Sequence, residues 1–223
     1  MRRAVMIPLL IVLLAPTQAI SALSWSDNLL INPGAETAAM APWITETPVV
    51  VSQSRSETSG WVYPHSGDWF FNMAGAPASP SGTLAIRELY QDIDLSSYAA
   101  DIDAGLLQIQ AAVWLQTEDV PTISGADYAQ LTIFFLNESG GQIDALSTGL
   151  VQSPNLTWVK ESLEGTAPMG TRGIRFELLG KKHETSYINA FFDDANLQVA
   201  IPEPGTLCLL TFASLTLLRR RRP

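Results

Sequence analysis

The sequence predicts an all-β body: two antiparallel sheets packed as a sandwich. Three observations lead there. Short runs rich in β-branched and aromatic residues recur between residues 28 and 199, and Gly, Pro, Ser and Asn separate them. Helical periodicity is hard to find in the same stretch. The runs are too many and too evenly spaced for a single sheet, and a two-sheet sandwich accommodates them.

The predicted strands, in order, are Asn28–Ile31, Val49–Ser54, Trp69–Met73, Leu84–Asp92, Leu106–Gln116, Tyr128–Asn137, Trp158–Leu163, Gly173–Leu179 and Ile188–Val199. Alternation is clearest from Leu107 to Leu115, where side chains swap faces residue by residue until the pattern slips near Ala112. Asn137-Glu138-Ser139-Gly140-Gly141 has the chemistry of a hairpin turn. Ser96–Gly105 has room for one helical turn. No internal repeat is visible.

The two ends have a different character. Arg2 and Arg3 precede an apolar stretch from Val5 to Ala15, and small residues follow at Ala19 and Ala22. This order reads as a secretory signal peptide over residues 1–22, with cleavage after Ala19 or after Ala22 both fitting. At the other end Ile201-Pro202-Glu203-Pro204-Gly205 leads into an uncharged, mostly apolar run, Thr206–Leu218, and then Arg219, Arg220, Arg221 and Arg222. Four arginines cross a bilayer only at high cost, so they stay on the cytoplasmic side. Gly205 to Leu218 is fourteen residues, or roughly 21 Å of helix against a hydrocarbon core of ~30 Å. Such a segment is short for a permanent anchor and suits either a weak anchor or a signal that is held and then cut.

Pro202-Glu203-Pro204, a short hydrophobic helix and an arginine cluster resemble the PEP-CTERM sorting signal of exported proteins in Gram-negative-type bacteria. The resemblance covers residues 201–223. It implies export by the Sec machinery, transient insertion of the tail in the inner membrane, and recognition by an exosortase. The expected address is the cell envelope, the cell surface or the extracellular matrix.

Residues 23–200, 178 in number, are then the folded body, enough for one domain with a real core. Seven of the thirteen Lys and Arg fall in this body and 21 of the 22 Asp and Glu, so its charge is near −14 against −9 for the whole chain. A surface of that sign repels nucleic acid and attracts cations. The single cysteine, Cys208, lies in the tail, so the body has neither a disulfide nor thiol chemistry.

Three motifs stand out within the body: Asn28-Leu29-Leu30-Ile31-Asn32-Pro33-Gly34-Ala35-Glu36, His65-Ser66-Gly67-Asp68-Trp69-Phe70, and Ala190-Phe191-Phe192-Asp193-Asp194-Ala195-Asn196-Leu197-Gln198-Val199. Together they resemble the galactose-binding-like jelly roll of many carbohydrate-binding modules, which refines the fold expectation to a jelly-roll β-sandwich. The chain departs from the commonest form at Ala35, where a bulky aromatic is usual, and at Ala195, where valine is usual. On strict alternation, Leu197 and Val199 facing the core bring Asp193 and Phe191 inward too. An inward carboxylate costs several kcal/mol without a partner, and no basic residue lies close in sequence. In the resembling family this position holds a structural Ca²⁺, and the resemblance implies Asp193 and Glu36 as side-chain ligands, with carbonyls near His65–Asp68 completing an oxygen shell that suits calcium.

Six tryptophans are many for this length. Trp43, Trp61, Tyr63 and Trp69 fall in or beside loops and are the candidates for stacking on sugar rings, with Gln53, Arg55, Glu57 and His65 as hydrogen-bonding neighbours. Packing in the core is the competing role for Trp43 and Trp69, while Trp114 and Trp158 sit inside strands and are expected in the core. No G-x-S-x-G, H-E-x-x-H, Walker loop or C-x-x-C occurs. Asp92 with Asp94, and Asp101 with Asp103, are the carboxylate pairs that strand spacing would place on one face. The expected function is a non-enzymatic, exopolysaccharide-binding surface or matrix protein. The alternatives are a calcium-stabilised subunit that binds protein partners, and a secreted glycan-active enzyme.

Overall fold

The computed structural model describes residues 23–47, 49–57, 60–74, 86–118, 127–153, 157–183 and 187–202. The signal segment 1–22 lies outside them, as do Glu203, Pro204, the apolar run and Arg219, Arg220, Arg221 and Arg222. Among the described residues no helix is long and apolar enough to cross a membrane.

The described residues form twelve strands: β1 Leu23–Trp25, β2 Val50–Ser52, β3 Arg55–Glu57, β4 Gly60–Val62, β5 Phe70–Asn72, β6 Ile86–Asp94, β7 Gln108–Thr117, β8 Tyr128–Leu136, β9 Gln142–Ser147, β10 Val159–Thr166, β11 Gly173–Lys181 and β12 Ala190–Pro202. A 3₁₀ turn, Ser96–Tyr98, runs into the short helix α1, Ala99–Asp103, where one helical turn was expected. One sheet has the order β10-β7-β12-β5-β2, with β1 added to β12, and the other the order β6-β11-β8-β9. The strands β3 and β4 form a separate hairpin. All pairings are antiparallel, and the order is that of a jelly-roll sandwich.

Alternation explains the core. Leu89 on β6, Ile109, Ala111, Val113 and Leu115 on β7, Leu131, Ile133 and Phe135 on β8, and Ile174, Phe176 and Leu178 on β11 occupy every second position and fill one continuous cluster between the sheets. A smaller cluster of Val62, Phe70, Ala74 and Phe191 lies apart from it, with Trp158 packed on it. The hairpin β8–β9 closes at Asn137–Gly141, where Asn137 Oδ1 accepts the amides of Ser139 and Gly141.

Two expectations about the fold need correction. Asn28–Ile31 is not a strand. Side-chain amides tie it between the sheets: Asn28 Nδ2 donates to Ala195 O and its Oδ1 accepts Leu197 N, while Gln91 accepts Ile31 N and donates to Ile31 O. Leu29 N still bonds Leu197 O, but the backbone groups on either side that would extend a ladder are taken by these side chains. The alternation expected along the last strand also breaks. Asp193 pairs with Trp114 but Asn196 pairs with Ala112, so two residues of β12 oppose Val113 alone. Asp194 at φ 47° is the bulge residue. Ala195, Leu197 and Val199 therefore line the main core, while Phe191 joins the smaller cluster on the other side of the sheet. Asp193 shares that outer face.

Candidate functional site

Asp193 is fully buried even so, because the loop 64–69 closes over it. Its Oδ2 accepts the amides of His65 at 2.8 Å and Ser66 at 3.2 Å, and its Oδ1 accepts the amide of Asp194 at 2.7 Å. Glu36 grips the same loop one turn further on: Oε2 accepts Asp68 N at 3.0 Å and Oε1 accepts Trp69 N at 3.2 Å. Asp194 adds two side-chain contacts, to Ser66 Oγ at 2.7 Å and His65 Nδ1 at 2.6 Å. The three motifs thus converge, with the carboxylates of the first and last closing on the backbone of the middle one. The backbone presents N–H groups to these carboxylates. Among the described residues no three His, Cys, Asp or Glu side chains group so as to hold a metal. Burial is the main cause that pushes the Asp193 carboxyl up to about 6; the charge of Asp194 adds to it and the amides oppose it.

The aromatic candidates separate by exposure. Trp43 is 5% exposed, packs edge-on against Phe71 and Phe176, and donates Nε1–H to Asn32 O. It is a core residue and cannot stack on a ligand, which corrects its place among the sugar-binding candidates. Trp69 is half-buried against the core. Trp61 and Tyr63 are 59% and 60% exposed, and their rings stack at 6.5 Å and 25° on and just beyond β4. Trp114 and Trp158, expected in the core, lie on its outer side. His65 lies flat on Trp114 at 3.8 Å, and Trp158 donates to Tyr63 O at 3.0 Å. Both tryptophans hold the loop that carries Tyr63 and His65.

A second surface was not singled out in the sequence. The outer face of β6-β11-β8-β9 carries Glu88, Tyr90 and Asp92 from β6, Arg175 and Glu177 from β11, and Thr132 and Phe134 from β8, which the register brings side by side. The Arg175 guanidinium lies 3.9 Å above the Tyr90 ring and binds both oxygens of Asp92, at 2.7 and 2.8 Å. Two clefts of about 320 and 210 Å³ flank it. Glu46, Glu88 and Tyr90 line the first, and Phe134, Gln142 and Glu177 the second. The signal available in sequence was the i, i+2 series Glu88, Tyr90, Asp92, which puts polar and aromatic groups on one strand face. Of the expected carboxylate pairs, Asp92 and Asp94 do share one face of β6, but Asp92 is bound to Arg175 and Asp94 accepts the Ser96 amide; Asp101 and Asp103 lie on α1 instead of a strand, with Asp103 bound to Arg172.

Residues 200–222 match the PEP-CTERM protein-sorting motif. The motif marks an exported chain sorted to the cell surface. No curated protein matches the chain in sequence. Among solved structures, a cyclase from Fischerella sp. TAU aligns over 81% of this chain and 100% of its own, at 13% identity and a TM-score of 0.53. The enzymatically active domain of tailspike protein 4 from bacteriophage CBA120 aligns over 76% of this chain at 14% identity and a TM-score of 0.53; the match spans about a fifth of that protein, 21%. These two likenesses concern the fold alone. The CBM22-1 xylan-binding domain from Paenibacillus barcinonensis Xyn10C aligns over 82% of this chain and 97% of its own, at 11% identity and a TM-score of 0.45.

Proposed function

We propose that this is a carbohydrate-binding protein of the cell surface or extracellular matrix of a Gram-negative-type bacterium. The Sec machinery exports it, the signal peptide is removed after Ala19 or Ala22, and an exosortase processes the 201–223 tail while it is transiently in the inner membrane. Residues 23–200 are the cargo. The ligand on this reading is an exopolysaccharide, and the body is not an enzyme.

One observation carries the binding part of this reading: the Tyr90–Arg175–Asp92 stack between two open clefts on a rigid sheet. A sugar ring has an apolar C–H face for an aromatic plane and an equatorial rim of hydroxyls for Asp and Arg, and side chains anchored on strands meet both without reordering. The Trp61–Tyr63 platform lies on the side of the opposite sheet and is a separate contact for a sugar ring. A glycan array probed with the full chain tests the reading. Saturable binding that falls in Tyr90→Ala or in Trp61→Ala supports it, and an array blank for every glycan refutes it in favour of a subunit that binds protein partners. Turnover of an arrayed polysaccharide would instead favour a glycan-active enzyme. Calcium at Glu36 and Asp193 belongs to the rival reading. An ion there would have to take carboxylate lone pairs that the amides of His65, Ser66, Asp68 and Trp69 now occupy.

A further inference from the structure

Glu177 sits near the middle of β11, opposite Tyr90 on one side and Thr132 on the other, on the outer face of the sheet. It is only 9% exposed, yet among the described residues no hydrogen bond and no ion pair reaches its carboxyl. Arg175, two residues along the strand, is committed to Asp92 and to the Tyr90 ring. The side chain is largely enclosed while its carboxyl oxygens still meet solvent through the cleft, and an acid so placed without a partner is a candidate for pairing with a ligand. Glu177 opens into the cleft that Phe134, Gly140 and Gln142 also line. Across Arg175 the neighbouring cleft offers two more acids, Glu46 and Glu88, again with no ion pair among the described residues. The other arginine bordering this face, Arg172, is held by Asp103. The groove therefore offers acceptors in excess and no uncommitted guanidinium.

We propose that this groove selects a polysaccharide carrying free amino groups, with Glu177 and Glu88 receiving the ammonium N–H groups while the sugar faces lie against Tyr90 and Phe134. The inference rests on the carbohydrate reading above and names its ligand class. An ammonium brings three donors and a positive charge to a site short of both, whereas a neutral hydroxyl brings one donor and an acidic sugar meets like charge. The body's net charge near −14 concentrates a polycation at the surface before the groove discriminates. Burial is also the main cause that raises the Glu177 carboxyl to about 7, with the charge of Glu88 adding to it, so an arriving ammonium must draw the carboxyl into its ionised form and displace a proton on binding.

Isothermal titration of the full chain with three hexamers decides the matter: glucosamine, N-acetylglucosamine and cellohexaose, at one pH near 6.5 and one ionic strength. The glucosamine hexamer should bind about tenfold tighter than its N-acetylated form, the factor expected for one charge-assisted hydrogen bond. Glu177→Gln should remove most of that difference and leave the affinity for the N-acetylated hexamer within about twofold. Equal or tighter binding of the acetylated or neutral hexamer overturns the inference and leaves the carbohydrate reading standing. So does a preference for glucosamine that survives Glu177→Gln, which would mean diffuse attraction of a polycation. If none of the three binds and the glycan array is blank, both readings fall.

Discussion

Gly67 lies directly against the carboxylate of Glu36: a Cβ added to it would stand 2.4 Å from Glu36 Cδ and Oε1. The position also has φ +63°, where side chains are strained. Glu36 cannot simply swing aside, because the amides of Asp68 and Trp69 hold it. Gly67→Ala should therefore destabilise the body by about 2 kcal/mol or more, the sum of backbone strain and a disturbed cap. Thermal unfolding followed by circular dichroism measures it. A melting temperature equal to that of the parent would mean the loop is not closed as described.

The same cap separates amide closure from a calcium site. If amides alone hold the loop, excess chelator leaves the melting curve in place, added Ca²⁺ gives no binding heat, and Asp193→Ala lowers stability equally with and without chelator. Removing a buried acceptor of three amides should cost on the order of 2–4 kcal/mol. A chelator-induced drop that disappears in Asp193→Ala would establish the metal instead.

How much of this was legible in the sequence depends on range. The β-runs, the Asn137–Gly141 hairpin and the helical turn after Ser96 rest on local chemistry, and local pattern finds them. The short strands β1, β3 and β4 lack the length for a visible period, and β9 is an exposed edge whose polar residues look like loop. The meeting of Glu36, His65–Asp68 and Asp193 was suggested by resemblance, but its geometry was not, because the bulge at Asp194 shifts Asp193 to the opposite face and nothing in the residue types announces a bulge. Tyr90 and Arg175 were missed for a different reason. They are 85 residues apart, and only the β6–β11 register makes them neighbours.

Exposure makes opposite forecasts for two tryptophans once grouped together. Trp43→Ala empties a site wedged between Phe71 and Phe176 and frees Asn32 O, so it should cost about 3–5 kcal/mol. Trp61→Ala removes a ring that is 59% exposed and should shift stability by no more than about 0.5 kcal/mol. Urea unfolding of the two variants side by side checks both figures. Comparable losses would place Trp61 in the packing and remove it from the ligand-facing surface.

Glu177 predicts a pH signature. Its carboxyl titrates at about 7 in the fold against the ordinary 4.5. Burial is the largest cause, the charge of Glu88 adds to it, and Arg175 opposes. The native state therefore keeps a proton that the unfolded chain has already released. Below about 4.5 both states are protonated and the group contributes its full relative stability; as pH rises toward 7 the unfolded chain ionises first and that stability is lost, on the order of 1–2 kcal/mol with solvent screening at the cleft. Glu177→Gln, neutral at every pH, should unfold less readily than the parent at pH 8 and match it at pH 4.5, and the gap should open between those values. Asp193, raised to about 6, contributes a slope of the same sign at lower pH, but it is present in both proteins and cancels in the difference. Denaturant midpoints measured at half-unit steps from pH 4.5 to 8 give the difference curve. A flat curve would show that the Glu177 carboxyl ionises as it does in water, and the case for an unpaired acid waiting in the groove would lose its energetic basis.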